Sequence, residues 1–213
     1  MTNIHSFLLP EVFPARDING DLAGEFAYLL PLAWQDYEEV RRLARDSRIW
    51  EFNRTLTVNE NYDHQFDDYF KTAMELSNQS GQSFTIHNSK NDRIIGMSRM
   101  HSVNPPAKGL EIGHTWYLPE FHGKVYNREC KLLLLQFVFE RLGFMRVQFR
   151  VASQNIRSQK AVTKIGGVRE GELRKSGFRN DGTLTGTVYF SIIDEEWPEK
   201  KQRLIDLIAS SEC

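Results

Sequence analysis

Cysteine is scarce in this chain: Cys130 falls inside an apolar helical run and Cys213 is the last of 213 residues. Two such positions allow neither a disulfide framework nor a zinc spacing. No run approaches the roughly 18 apolar residues that span a bilayer. The stretch Met1–Pro10 lacks a charged segment leading into a long apolar one, so no secretory signal is read there. A reducing cytoplasm is the expected setting, with no membrane partner. Charge of one sign is missing too: Lys+Arg 27 against Asp+Glu 28 leaves a net charge of -1. Nucleic-acid binding calls for a basic excess or stripe, and neither is present. Repeats, low-complexity tracts and Gly/Ser/Pro-rich linkers are absent as well, so residues 1–213 are expected to form one domain. Hydrophobic residues at 40% and aromatics at 12% are enough to build its core.

The periodicities alternate between two and 3.6. Residues 1–23 read as irregular, punctuated by Pro10, Pro14 and Gly20, and Phe26–Leu32 reads as a first strand. Trp34, Tyr37, Val40, Leu43 and Ala44 recur at helical spacing behind the acids Asp36, Glu38 and Glu39. Phe66, Phe70, Ala73 and Met74 form the stripe of a second helix over about Asp63–Leu76. Ser83–His87 and Arg93–Met100 read as a hairpin, and Leu110–Tyr117 as the next strand. The helix from Asn127 to Arg141 is apolar nearly all round and must be buried on more than one side. Arg146–Val151 is a strand, and a helix over about Ile156–Lys164 stops at Gly166-Gly167. Val168–Lys175 and Thr185–Ile193 form a hairpin about Asn180-Asp-Gly182, and Trp197-Pro198 opens a final helix in the segment 195–213. The order β-α-α-β-β-β-α-β-α-β-β-α implies an α/β fold: a mixed sheet with helices on its faces.

Two strand-to-helix junctions carry the chemistry. In Phe121-His-Gly-Lys-Val-Tyr-Asn127 a polar loop runs into a helix start, where unpaired N–H groups and the positive end of the dipole suit phosphate oxygens. Lys124 and Arg128 add positive charge, whereas the plainer reading is an ordinary turn at Gly123. At Asn155-Ile-Arg-Ser158 the plainer reading is an N-cap. Lys160 and Lys164, beside Arg157, form either a solvated helix face or one facing phosphates. Read together, Glu111-Ile-Gly113, then Gly123, Asn127, Glu129, Lys131 and Leu132–Leu135, and then the Asn155/Ser158 junction resemble the GNAT N-acetyltransferases, and within them the RimJ/RimL-like branch. The likeness runs from about Glu25 to Leu207. It departs from the wider family's Gln/Arg-x-x-Gly-x-Gly/Ala loop by placing His122 first, Val125 at the central glycine and Asn127 last. A negative φ at Val125 would still let its N–H bind phosphate.

The resemblance implies a largely antiparallel, twisted sheet of about seven strands with a splayed pair, 110–117 and 146–151, at the cofactor site. It implies acetyl-CoA as co-substrate, no metal, and a homodimer. The pyrophosphate would lie on His122, Gly123, Lys124, Val125, Tyr126 and Asn127, with Lys160 nearby, and the pantetheine arm against Asn155 and the backbone of Trp116, Tyr117 and Leu118. Ser158 would protonate the departing thiolate. Some relatives use a Glu on the strand after the second junction, where Gly177 stands here. Acetyl transfer needs a neutral amine and a route for its proton, and Glu111 is the candidate base, with a salt-bridged strand residue as the alternative. Glu170 and Glu172 read as structural, and His87, His101, His114 and His122 lack metal-like spacing. The expected activity is N-acetylation of a primary amine: an α-amine of a protein or peptide N-terminus, or a small low-pKa amine. The alternatives are a non-catalytic acyl-CoA-binding domain and an enzyme for polyamines or amino-sugars.

Overall fold

In a computed structural model, residues 16–211 are described apart from 18–19, 52–55, 80 and 180–181. Cys213, most of the N-terminal segment 1–23 and the centre of the Asn180–Gly182 turn lie outside the described residues. One seven-stranded sheet organises the rest, in the order β1-β2-β3-β4-β5-β7-β6. Its strands are β1 (Ala27–Pro31), β2 (Gln82–Asn88), β3 (Ile94–Asn104), β4 (Gly109–Tyr117), β5 (Arg146–Ala152), β6 (Val168–Phe178) and β7 (Leu184–Ile193). All neighbours pair antiparallel except β4 and β5. The helices are α1 (Tyr37–Leu43), α2 (Tyr62–Gln79), α3 (Tyr126–Gln136), α4 (Ile156–Lys164) and α5 (Trp197–Ala209). The element order and mixed sheet match the expectation from periodicity.

Each face of the sheet has its own core. Phe66, Phe70 and Ala73 on α2, with Val40, Leu43 and Ala44 from the end of α1, pack on Met97, Trp116 and Leu118. Trp34 sits in a 3-10 turn before α1 and is 60% exposed, touching that core through its ring on Phe70 at 5.5 Å between centroids. The other face carries α3, whose Cys130, Leu133, Leu134 and Leu135 are buried with Leu110, Ile112, Val147 and Leu204. The expected long helix continues past α3 as a π segment, Phe137–Arg141, with Leu142 N–H donating to Phe137 C=O at 3.0 Å. Helix α4 stops as expected, with Gly166 and Gly167 N–H donating to Thr163 and Val162 C=O at 3.0 and 2.9 Å in a Schellman arrangement.

Glu129 ties α3 to the first strand. Its carboxylate accepts the N–H groups of Glu25, Phe26 and Ala27 at 2.8, 2.8 and 2.6 Å. A Cβ on Gly24 would fall 2.5 Å from that carboxylate, so only glycine fits there. This motif glutamate is thus a structural anchor with no place in the cofactor loop. Glu170, paired with Arg146, and Glu172, paired with Arg169, are structural as expected.

Candidate active site

β4 and β5 pair only over Gly109–Glu111 and Arg146–Gln148 and then part, while β5 stays bonded to β7 along its whole length. The gap is a cleft of about 470 Å³, walled by Glu111–Tyr117, Phe149–Ala152, the loop Phe121–Gly123, Asn127 and Lys131 of α3, and Asn155, Arg157 and Ser158 at the start of α4. A bulge shapes the β4 wall. Two steps along β3, from Met97 to Arg99, match three along β4, from Trp116 to Gly113, and His114 takes a φ of 49°.

Antiparallel alternation decides which backbone groups face the gap. Leu118 N–H donates to Ile95 C=O at 2.9 Å, so the Leu118 and Trp116 N–H groups both turn toward β3. Tyr117 turns the other way, and its C=O accepts from His122 Nε2 at 2.9 Å on the cleft side. Among the three expected backbone positions, 116–118, Tyr117 alone offers its N–H to the cleft. The side chains of Trp116 and Leu118 belong to the α2-side core, where Trp116 Nε1 donates to the Tyr69 hydroxyl at 3.1 Å. The Tyr117 hydroxyl is buried against the Cys130 thiol, without a well-formed hydrogen bond, and burial holds it well above its ordinary pKa.

At the start of α3, Val125 has φ -61° and no side chain caps the helix. Among the described residues no backbone acceptor serves the N–H groups of Gly123 to Asn127 either. Gly123 supplies the turn with φ +77° and has open space where a Cβ would stand. His122, Gly123 and Asn127 line the cleft. Val125 is buried and Tyr126 packs edge-on against Phe121 at 4.9 Å, so these two present only backbone. The exposed Lys124 and Lys160 side chains lie off the cleft wall, and the cation on the wall at α4 is Arg157, whose Nη1 meets His122 Nδ1 at 3.4 Å. At the second junction Asn155 Oδ1 accepts from Ser158 N–H at 3.0 Å, the expected N-cap, and among the described residues the Asn155 amide nitrogen, on the wall of the cleft, has no partner.

Glu111 is buried at the point where the strands part. Its Oε2 meets Arg150 Nε at 2.6 Å, and its Oε1 lies 3.4 Å from His101 Nε2, too poorly aligned for a hydrogen bond. The salt-bridged reading of this residue holds, and the pairing leaves Glu111 on the wall of the cleft. Burial keeps His101 below its ordinary pKa despite Glu111, so it is neutral at pH 7. His114, which meets His101 edge-on at 5.1 Å, is lowered by desolvation and then by the charge of Arg99, an effect that the exposure of the residue weakens.

Two buried cations flank the bulge with no carboxylate within 4 Å among the described residues. Arg99 stacks on the Tyr69 ring at 4.5 Å from its centroid, on the α2 side. Lys131, on the α3 side, donates to Thr115 Oγ1 at 2.7 Å, and burial lowers its pKa to about 8. The sequence reading took Lys131 only as part of the family motif, with no role in the site, and passed over Arg150. Lys131 was legible, since it follows Asn127 by one helical turn and shares its face, whereas Arg150 becomes functional only through the register that sets it beside Glu111.

A family profile for the acetyltransferase (GNAT) domain matches residues 27–168. This chain belongs to the GNAT acetyltransferase family. Among its relatives, Bacillus subtilis (strain 168) "Putative ribosomal N-acetyltransferase YdaF" is 31% identical over 109 residues, 51% of this chain and 58% of that protein. A "putative acetyltransferase" from T. thermophilus superposes with TM-score 0.77 at 30% identity, covering 92% of this chain and 97% of that one. Mycobacterium smegmatis RimJ in complex with CoA-disulfide shares the fold at TM-score 0.73 and 16% identity, covering 87% and 90%. Among the described residues no helix is long and apolar enough to cross a membrane.

Proposed function

We propose that this GNAT protein transfers the acetyl group of acetyl-CoA to a primary amine, by direct attack of the amine on the thioester. The observation that carries the reading is the open cleft between β4 and β5, flanked by two helix starts and faced by Tyr117 N–H. Acetyl-CoA, when bound, supplies the activated acyl group. The free N–H groups from Gly123 to Asn127 and the dipole of α3 suit its diphosphate, with Arg157 as the nearby cation. Tyr117 N–H and the unpartnered Asn155 amide suit the amides of its arm. Glu111 accepts the amine proton through water, one of its oxygens being committed to Arg150, and Ser158 donates to the departing sulfur.

The acceptor follows from proton arithmetic. An α-amine of pKa about 7.7–8.0 is roughly a tenth neutral at pH 7, whereas a lysine near 10.4 is neutral less than about once in a thousand. Lys131 on the cleft wall disfavours a second positive charge beside it, which favours a low-pKa amine over a polyamine. The likeness to YdaF supports the RimJ/RimL-like branch, protein N-termini as acceptors and a cytoplasmic setting. Exposed Val168, Leu173, Phe178 and Leu184 on the β6–β7 hairpin support pairing of two copies there, which sedimentation would test. The deciding assay measures thiol release from acetyl-CoA with two matched peptides, one with a free N-terminus and one blocked but bearing lysine. Faster turnover of the free N-terminus at pH 7 is expected. Faster turnover of the lysine peptide would overturn the assignment.

A further inference from the structure

Lys131 is 5% exposed, yet no carboxylate balances it among the described residues. Its Nζ donates to Thr115 Oγ1 at 2.7 Å and to Ser98 Oγ at 3.3 Å, while those two hydroxyls lie 2.8 Å from each other. Thr115 belongs to the β4 bulge and Ser98 stands opposite it on β3. The hydroxyl pair would satisfy itself without a lysine, and an apolar side chain of similar length would fill the space without burying a charge. Stability therefore gives no reason for an ammonium here, and its position on the cleft wall does. A ligand anchored on the loop 121–127 and running between the strands toward their junction at Glu111 brings its far end to this bulge.

We propose that Lys131 is a positioning residue for acyl transfer: through Thr115 it fixes the bulge, and it keeps an unbalanced positive charge beside the sulfur of the bound thioester. The inference rests on the acetyl-CoA reading above. As the amine nitrogen bonds to the acyl carbon, the carbon–sulfur bond breaks and its electron pair stays on sulfur. The amine proton leaves through Glu111 and water. Lys131 transfers no proton and offsets the charge that appears on sulfur. The ionisable groups nearest to it stay neutral over the working range, since burial pushes Cys130 to about 12 and Tyr117 well above 10. The remaining charges on the cleft wall, Glu111 with Arg150, and Arg157, are the same in the variants below and cancel in the comparison.

The test needs no acceptor. The thiol of CoA bound to the full-length protein is titrated by the ultraviolet absorbance of its thiolate, with desulfo-CoA-loaded protein subtracted to remove protein signals. In the wild type the bound thiol, read from its thiolate fraction at pH 7–8 where Lys131 still carries its charge, should show an apparent pKa about one unit below free CoA, as an adjacent opposite charge requires. In Lys131→Met it should return to the free value or above, and Lys131→Arg should keep it low. Lys131→Gln serves as the neutral variant should Met fail to accumulate. Equal thiol pKa values in wild type and neutral variants would overturn the proposal while leaving CoA binding intact. A wild type that does not bind CoA would overturn the cofactor reading, and this inference with it.

Discussion

Asn155→Asp separates the two roles that one side chain combines. Its Oδ1 caps α4 by accepting from Ser158 N–H at 3.0 Å, and the proposed reading gives its amide nitrogen to the cofactor. Aspartate keeps the capping oxygen and is as good an N-cap as asparagine, so folding stability should stay within about 0.5 kcal/mol of wild type. The amide donor is lost, however, and one missing hydrogen bond costs about 1–2 kcal/mol. CoA should then bind about 5–30-fold more weakly, and the new carboxylate near a diphosphate can only add to the loss. Asn155→Ala, by contrast, should lose about 1 kcal/mol of stability with the cap as well as the affinity. Urea denaturation gives the first quantity and calorimetry with CoA the second. If the aspartate variant bound CoA as tightly as wild type, Asn155 would be a helix cap and nothing more.

Periodicity and turn chemistry made the fold readable, because each element is decided by its own residues. The run of β-type and helix-type segments from Phe26 onward follows from apolar spacing, and the stop of α4 from Gly166-Gly167. Trp34 was misplaced because spacing alone does not distinguish a 3-10 turn from the first turn of a helix. The site was legible only where local sequence fixes it. His122, Gly123, Asn127, Asn155 and Ser158 all sit at helix starts, and all reach the cleft. Trp116 and Leu118 were misjudged as donors because the direction of a strand N–H depends on pairing register, which no residue in β4 encodes by itself. Lys124 and Lys160, read as phosphate partners from charge, are exposed beside the two junctions, and Arg157, which the same reading set beside Lys160, lines the cleft. The pairing of Glu111 with Arg150 joins residues 39 positions apart and exists only once β4 and β5 are in register.

Glu129→Ala should strip three backbone N–H groups of their acceptor and cost at least about 3 kcal/mol, taking about 1 kcal/mol for each; urea denaturation checks this, and an unchanged midpoint would refute the anchor. Val125→Gly should leave CoA affinity nearly unchanged, since only the N–H of Val125 faces the ligand, but should cost about 2 kcal/mol through lost packing, as its side chain is 1% exposed; a collapse of affinity would place the loop in a different register. Lys131→Met should change how stability depends on pH. Burial lowers the Lys131 pKa from 10.5 to about 8 in the folded protein. Between these values the unfolded chain holds the extra proton, so wild-type stability rises with pH. The gain is complete above about 10.5 and gone once pH falls below about 8. A shift of this size corresponds to about 3 kcal/mol, which sets the scale of the expected difference. The methionine variant lacks the titration, so at pH 7 it should be the more stable protein, and the wild type should close the gap as pH rises toward 10.5. Denaturation curves of both proteins across that range would show it, and parallel profiles would mean that Lys131 reaches water and carries no buried charge.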